Sequence, residues 1–501
     1  MTNQCRKNLT YFFVMFLILF SFSCICNVTN KDLLYDAAIY WNLGKSYIAN
    51  DSFSFANISG AWRGYLLPLI YCITNIIGSN VFHEDMMGYR VVSSIIFAAA
   101  FVYLVPLITE FIFGKTRNKI FCFFPLALFL IFWYNAFIYP LSDMIAIIFN
   151  FLMLAIVNSI IKVFNTQDTN NKRTYFRLSY YAFLFGIIMY CTYNIRTIYQ
   201  FSGILAFIVL ICLFYKKTKN LKYTLIIMLS VLLGVFVASI PQIIINFKYI
   251  HKFSMRVPID SLLSQQLYWG VFTQRYETNI GTNYQLPGMN FYDPVGLAIL
   301  NKEGIKGFSN ILDLFGLICK YPLDFVGIYT RHFINALLPV FPEGYIKNIY
   351  RIKMPLILLN YILLYLSGFS AYTRHLLKKK NMELASETVI KTQSSRKRRN
   401  NTKTINSDNQ TLKYNKIFAF IIILIPCIAI LPGSIEVRFF LPLYLMMYSY
   451  LAFISPWKEM KSCFFEHKIG CITSFILALA VCCSVWGNTF ANLQYEKLFL
   501  Q

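Results

Sequence analysis

Residues 11–26 read YFFVMFLILFSFSCIC, sixteen residues without a charge, and they follow Arg6-Lys7. A hydrocarbon core about 30 Å thick asks for about 20 apolar residues, with about 17 as the lower bound. The stretch is read as a first membrane span whose basic N-terminus lies on the cytoplasmic side. Cleavage as a signal peptide competes with this, because Ser21-Phe22-Ser23-Cys24 faintly resembles a lipoprotein box. Phe22 beside the cysteine fits such a box poorly, so an uncleaved span is expected.

Further apolar runs lie at 90–113, 119–136, 140–161, 178–195, 198–214, 223–246, 353–373, 417–432, 438–456 and 469–486, making about eleven spans in all. The connectors alternate. Lys115, Arg117 and Lys119 fall in one turn, Lys162, Lys172, Arg173 and Arg177 in another, and Lys216, Lys217, Lys219 and Lys222 in a third. The stretch 374–416 and the turn with Lys458, Lys461 and Lys468 complete that set. The short connectors between them, 137–139, 196–197 and 433–437, carry one positive charge, Arg196. This asymmetry puts the basic turns in the cytoplasm. Tyr65 to Gly78 is too short to cross and would invert every later turn, so it is expected to lie along the membrane surface. Phe333 to Phe341 is expected to be re-entrant or interfacial.

Composition agrees. The 501 residues are 57% hydrophobic and 14% charged, whereas soluble domains carry about 25% charge. The net charge of +24 sits in the connectors rather than on a soluble basic face, so nucleic-acid binding is set aside. The 13 cysteines lie mostly within apolar runs and show no CxxC spacing, which excludes a disulfide framework or structural zinc. The expected class is an all-α polytopic membrane protein. An N-terminal module spans 1–246, with a first extracytoplasmic loop at 28–89. A large extracytoplasmic loop follows at 247–352, with short helices near 259–270 and 309–319. C-terminal spans fill 353–501 around a disordered cytoplasmic linker, 378–413. Arg396-Lys397-Arg398-Arg399 in that linker suit anionic headgroups.

Ionisable residues at span ends are the candidate site. Asp36 opens Tyr35-Asp36-Ala37-Ala38-Ile39-Tyr40-Trp41-Asn42-Leu43-Gly44 and shares a helical face with Tyr40 and Tyr47. A helix N-terminal acid favoured by the dipole is the plainer reading. Arg63 sits in the corner Trp62-Arg63-Gly64-Tyr65-Leu66-Leu67-Pro68, where a snorkelling arginine is equally plausible. Asp143 lies in Tyr139-Pro140-Leu141-Ser142-Asp143-Met144. Unpaired in a span it costs about 2.5–3.5 kcal/mol, so Arg196 is its expected partner. Arg438 opens a span within Glu436-Val437-Arg438-Phe439-Phe440-Leu441-Pro442-Leu443-Tyr444. Its fork suits phosphate or carboxylate. A Glu436–Arg438 pair is discounted, since neighbours two apart do not face each other on a helix. Arg331-His332 is a further candidate. No HExxH, P-loop, GxSxG or dinucleotide fingerprint occurs.

In order, the acid-bearing loop helix (Asp36–Gly44), the Gly64–Pro68 corner, Tyr89-Arg90, Tyr-Pro-x-Ser-Asp at 139–143 and Arg-Phe-Phe-Leu-Pro at 438–442 resemble the GT-C superfamily of membrane glycosyltransferases. The nearest type is that of the protein mannosyltransferases and aminoarabinose transferases. The resemblance covers 1–250 and, locally, 417–456; the loop 247–352 matches no motif of it. It implies inverting transfer from a polyprenyl-phosphate sugar to an envelope glycan, lipid or protein on the outer face of a bacterial plasma membrane. Asp36 would be the general base. Tyr40, Arg63, Tyr139, Asp143, Arg196, Arg331, Arg438 and Tyr444 would line the substrate site. Some relatives carry a second acid beside the first; Ala37 stands there here, so a divalent metal is possible but unsupported, and no other cofactor is expected. Two rivals come from other classes. An O-antigen-type polymerase would act through loop arginines. A lipid-linked sugar flippase would need charges deep in several spans.

Overall fold

The computed structural model describes residues 3–49, 52–58, 64–114, 118–166, 172–258, 260–278, 288–338, 354–391 and 414–494. Of the described residues 84% are helical. Among the described residues eight helices are long and apolar enough to cross a membrane: Cys5–Cys26, Asp85–Phe113, Ser142–Phe164, Arg173–Ile195, Thr197–Thr218, Leu221–Ile250, Pro355–Leu377 and Lys468–Ala491. The fold is therefore that of a polytopic helical membrane protein.

Three of the eleven expected crossings are shorter. Lys119–Trp133 and Tyr414–Ala429 are apolar helices of the 10–17-residue class, and Val437–Phe453 meets Trp457–Glu466 at 89°. Seventeen residues at 1.5 Å each reach about 26 Å, short of the roughly 30 Å core. Residues 378–391, expected in the linker, are helical instead. The helix Met354–Lys391 runs past Leu377, because Leu, Lys, Met, Glu and Ala in 376–385 favour helix. The basic run 396–399 lies outside the described residues, as do Arg63 and 339–341.

Local chemistry shapes the bundle. The helices Lys172–Ile195 and Leu221–Ile250 approach through reciprocal glycines. A Cβ on Gly186 would stand 2.1 Å from the Val231 carbonyl, and one on Gly234 2.1 Å from that of Phe183. Small residues permit such contact where no hydrophobic force drives helices together. Pro106 and Pro426 cannot donate a helical hydrogen bond. A π-helical turn lies just ahead of each, at Ala100–Leu104 and Phe420–Leu424.

The expected surface stretch forms the helix Leu66–Ile77, which buries Leu67, Tyr71 and Thr74. It packs between the helices Tyr35–Ser46 and Asp85–Ala99. The expected short helices of the large loop appear as Asp260–Phe272 and Ile311–Lys320. Between them lies a sheet that the sequence reading did not contain. Strand β3 (Thr273–Thr278) pairs antiparallel with β4 (Gly288–Tyr292), and β4 with β5 (Leu493–Gln494). This sheet ties the loop to the end of the Lys468–Ala491 helix. A smaller ribbon, β1 (Ile48–Ala49) with β2 (Ser52–Phe53), follows the Asp36 helix.

Candidate functional site

Asp36 stands in the first turn of Tyr35–Ser46. The chain enters that turn with Leu34 extended and Tyr35 at φ +47°. A left-handed tyrosine costs of order 1–3 kcal/mol, and strain of this kind gathers at functional sites. Asp143 likewise opens its helix, one residue after Ser142. It is thus a helix N-terminal acid. Arg196 follows the last residue of Lys172–Ile195 and leads into a 3-10 turn, Thr197–Tyr199. Arg438 lies in another, Val437–Phe440, directly before Leu441–Phe453. Four helix ends meet at one end of the bundle.

Their side chains form one charged array. Arg196 pairs with Asp143, as expected from sequence, and its guanidinium carbon stacks 4.3 Å from the Phe439 ring centre. Arg438 reaches three acids: Nη2 to Asp36 Oδ2 at 3.4 Å, Nη1 to Asp143 Oδ2 at 3.6 Å, and Nη2 to Glu436 Oε1 at 3.1 Å. Its Nε also approaches Glu436 Oε2 at 2.6 Å, without hydrogen-bond alignment. The Glu436–Arg438 pair discounted from sequence therefore exists. Glu436 is extended and Arg438 is in a 3-10 turn, so the α-helical spacing argument does not apply. Arg438 Nε and Asp143 Oδ2 are buried without a hydrogen-bond partner. Buried orphans of this kind are rare and call for an explanation.

The large loop contributes residues that the sequence reading missed. Strand β3 reads Thr273-Gln274-Arg275-Tyr276-Glu277-Thr278 and is buried almost throughout despite its polarity. Tyr276 N–H donates to the Ile435 carbonyl at 2.7 Å, which fixes β3 against the Glu436 turn. A register shift between Thr273 and Arg275 re-aims the side chains. Arg275 donates through Nε to Glu277 at 2.7 Å and through Nη1 to the Leu338 carbonyl at 2.8 Å. Burial pushes the Glu277 carboxyl up, against Arg275 and Arg438; burial also raises Glu436, against Arg438. An all-polar six-residue strand has no apolar alternation to betray it.

A buried amide ladder supports the Arg196 turn. Asn194 Oδ1 accepts from Leu66 N–H at 2.8 Å, and its Nδ2 donates to Gln242 at 3.0 Å. Gln242 donates to Asn246 at 3.1 Å, and Asn246 to the Ser254 and Arg256 carbonyls, both at 2.8 Å. A Cβ on Gly64 would overlap the Asn194 carbonyl at 1.8 Å. The corner after Arg63 is therefore clamped to the helix end that carries Arg196.

Other expected site residues lie elsewhere. Arg331 is bound to Asp293 by two hydrogen bonds, 2.7 and 2.9 Å. Asp293 is fully buried and caps the helix Pro294–Glu303. Beside it, His332 is buried with Nδ1 2.6 Å from the Leu431 carbonyl, and burial pushes it down to about 4. Tyr444 is core, its ring 5.1 Å from Trp133 and its hydroxyl donating to the Ala336 carbonyl at 3.4 Å. Tyr139 is buried, and its carbonyl accepts from Tyr89 at 2.6 Å. Tyr40 is buried one turn after Asp36.

Asp36 is the most open of the three acids that Arg438 reaches, with 29% of its side chain exposed against 13% for Glu436 and 2% for Asp143. Among the described residues no group of three His, Cys, Asp or Glu is placed to hold a metal ion. The array can take a proton at an accessible carboxylate and offer guanidinium charge beside it. No family model, no curated protein and no solved structure matches the chain.

Proposed function

We propose that the chain is a membrane glycosyltransferase that moves a sugar from a polyprenyl phosphate to an envelope acceptor, with inversion at the anomeric carbon. The observation that carries this reading is the meeting of Asp36 and Arg438, 3.4 Å apart although 402 residues separate them in sequence. An acceptor hydroxyl would attack the anomeric carbon and lose its proton to Asp36. The bond from that carbon to the phosphate oxygen would break, and the electron pair would leave on the lipid phosphate. On this reading Arg438 would stabilise that growing charge as a donor already in place. Its buried Nε and the orphaned Asp143 Oδ2 support an array completed by substrate.

On this reading the site end of the bundle faces outward and the basic turns face the cytoplasm. The three shorter apolar helices then complete eleven crossings, and the membrane is a bacterial plasma membrane. The test is lipid profiling of a strain lacking the chain. It should accumulate a polyprenyl-phosphate sugar and carry an under-modified envelope polymer, both restored by the wild-type chain and not by Asp36→Asn. Normal lipid and polymer profiles in the deletion strain would refute the reading.

A further inference from the structure

The helices Ile311–Lys320 and Pro322–Ala336 each bury one face. Leu314, Leu317, Phe325 and Ile328 close a small core with Phe272 and Leu300. A surface helix meeting water would be polar on its other face. These are not. Leu312 is 70% exposed, Leu323 84% and Val326 64%, with Ile311 and Phe315 about half exposed. Single exposed leucines are ordinary, but five large apolar side chains on two successive helices make a patch. Asp324 and Thr330 are exposed at the edge of the patch, and Thr330 Oγ1 donates to the Val326 carbonyl at 2.7 Å. Asp313 accepts from the Ser309 and Asn310 N–H groups, and Lys320 pairs with Glu303.

What covers the patch follows from its surroundings. Phe333 lies on the Leu323–Val326 face, seven residues beyond Val326. Its ring meets Phe440, centroids 5.8 Å apart, immediately before the apolar helix Leu441–Phe453. The Pro322–Ala336 helix also packs beside Lys468–Ala491, a span only 11% buried and so lipid-facing over most of its surface. Beside Leu338, an apolar cavity of about 610 Å³ is lined by Tyr361 and, on that span, by Leu479, Trp486 and Phe490. The apolar surface thus runs from the spans onto the helix pair.

We propose that the helix pair within 311–336 is a membrane-surface anchor, its Leu312–Phe315–Leu323–Val326 face seated at the acyl–headgroup boundary of the leaflet at the site end of the bundle. The Arg331–Asp293 pair locks the anchor to the helix that follows β4. The proposal does not depend on the reaction that the site performs.

The test places p-benzoylphenylalanine at Leu312 or Leu323 of the full chain in phospholipid nanodiscs, followed by irradiation and mass spectrometry. Leu233, exposed on the span Leu221–Ile250, marks lipid contact, and Lys306, exposed in the loop, marks water. Lipid adducts at 312 and 323 matching those at 233, and several-fold above 306, are expected. Adduct levels at 312 and 323 no higher than at 306, or crosslinks to a second copy of the chain, would overturn the anchor.

Discussion

Two arginine–carboxylate sites in this molecule differ in completeness. At Arg331–Asp293 the fork meets the carboxylate in two short hydrogen bonds, and the same carboxylate caps a helix through Val295 and Gly296 N–H. Among the described residues, neither Arg331 nor Asp293 has a buried polar atom without a hydrogen-bond partner. At Arg438 one guanidinium is divided among Asp36, Asp143 and Glu436 at 2.6–3.6 Å, with misaligned contacts and two buried orphan atoms. Closed geometry of the first kind suits a structural joint. The open, over-subscribed kind suits a site that substrate completes. The residue types are the same; only their geometry separates the two roles.

The sharpest way to break this contrast is Asp36→Asn. A general base contributes about 100- to 10,000-fold, so sugar transfer in a cellular complementation assay should be lost while the protein still accumulates in membranes. Asp51→Asn, in the same loop, should remain near wild type. An active Asp36→Asn chain would remove the mechanism and leave the Arg438 array without a role in transfer.

Next comes Arg438→Lys, which keeps the charge and loses the planar fork. Loss of about 100- to 1,000-fold in turnover, the size seen when one transition-state donor is removed, is expected with melting temperature nearly unchanged. Arg331→Ala should do the reverse. Asp293 would be left buried and unpaired, a cost of about 3–5 kcal/mol, seen as a lower melting temperature in detergent and unchanged turnover in whatever protein remains folded. If the two variants exchanged phenotypes, the assignment of joint and site would be inverted.

The smallest effect sharpens the role of β3. Burial raises the Glu277 carboxyl above its ordinary 4.5, against the pull of Arg275. In that window the folded chain keeps a proton that the unfolded chain has given up, so stability falls as pH rises from about 4.5 through the raised value. Glu277→Gln cannot ionise and escapes this loss. The two proteins should melt alike in acid, and the variant should melt higher at neutral pH. Equal melting curves across the range would mean that Glu277 ionises without strain beside Arg275.

Much of the bundle was legible because the bilayer imposes length and charge rules on each segment separately. Runs such as 223–246, and turns such as Lys216–Lys222, need no partner to be read. Asp143 and Arg196 could also be matched, since a lone acid in an apolar run demands a counterion and a lone arginine in a tight turn offers one. The Glu436–Arg438 pair was misjudged, because the argument assumed α-helix where the chain makes an extended residue and a 3-10 turn. Strand β3 carried no signal at all. Its burial comes from the turn at 435–438 and from β4, not from its own residues.

Sequence by itself determined that this chain is built from apolar runs of a multi-pass membrane protein, eight of which form helices long enough to cross among the described residues, and that Asp36, Asp143, Arg196 and Arg438 sit at segment ends where charge is permitted. Those are local properties, set by hydrophobic length and by the energetic cost of a charge in hydrocarbon. Only the tertiary structure decided that three of these residues gather on Arg438's neighbourhood with Glu436 and Glu277, while Arg331 is spent on Asp293. Coulomb attraction between buried charges depends on distances of a few ångströms, and those distances exist only after segments hundreds of residues apart have packed.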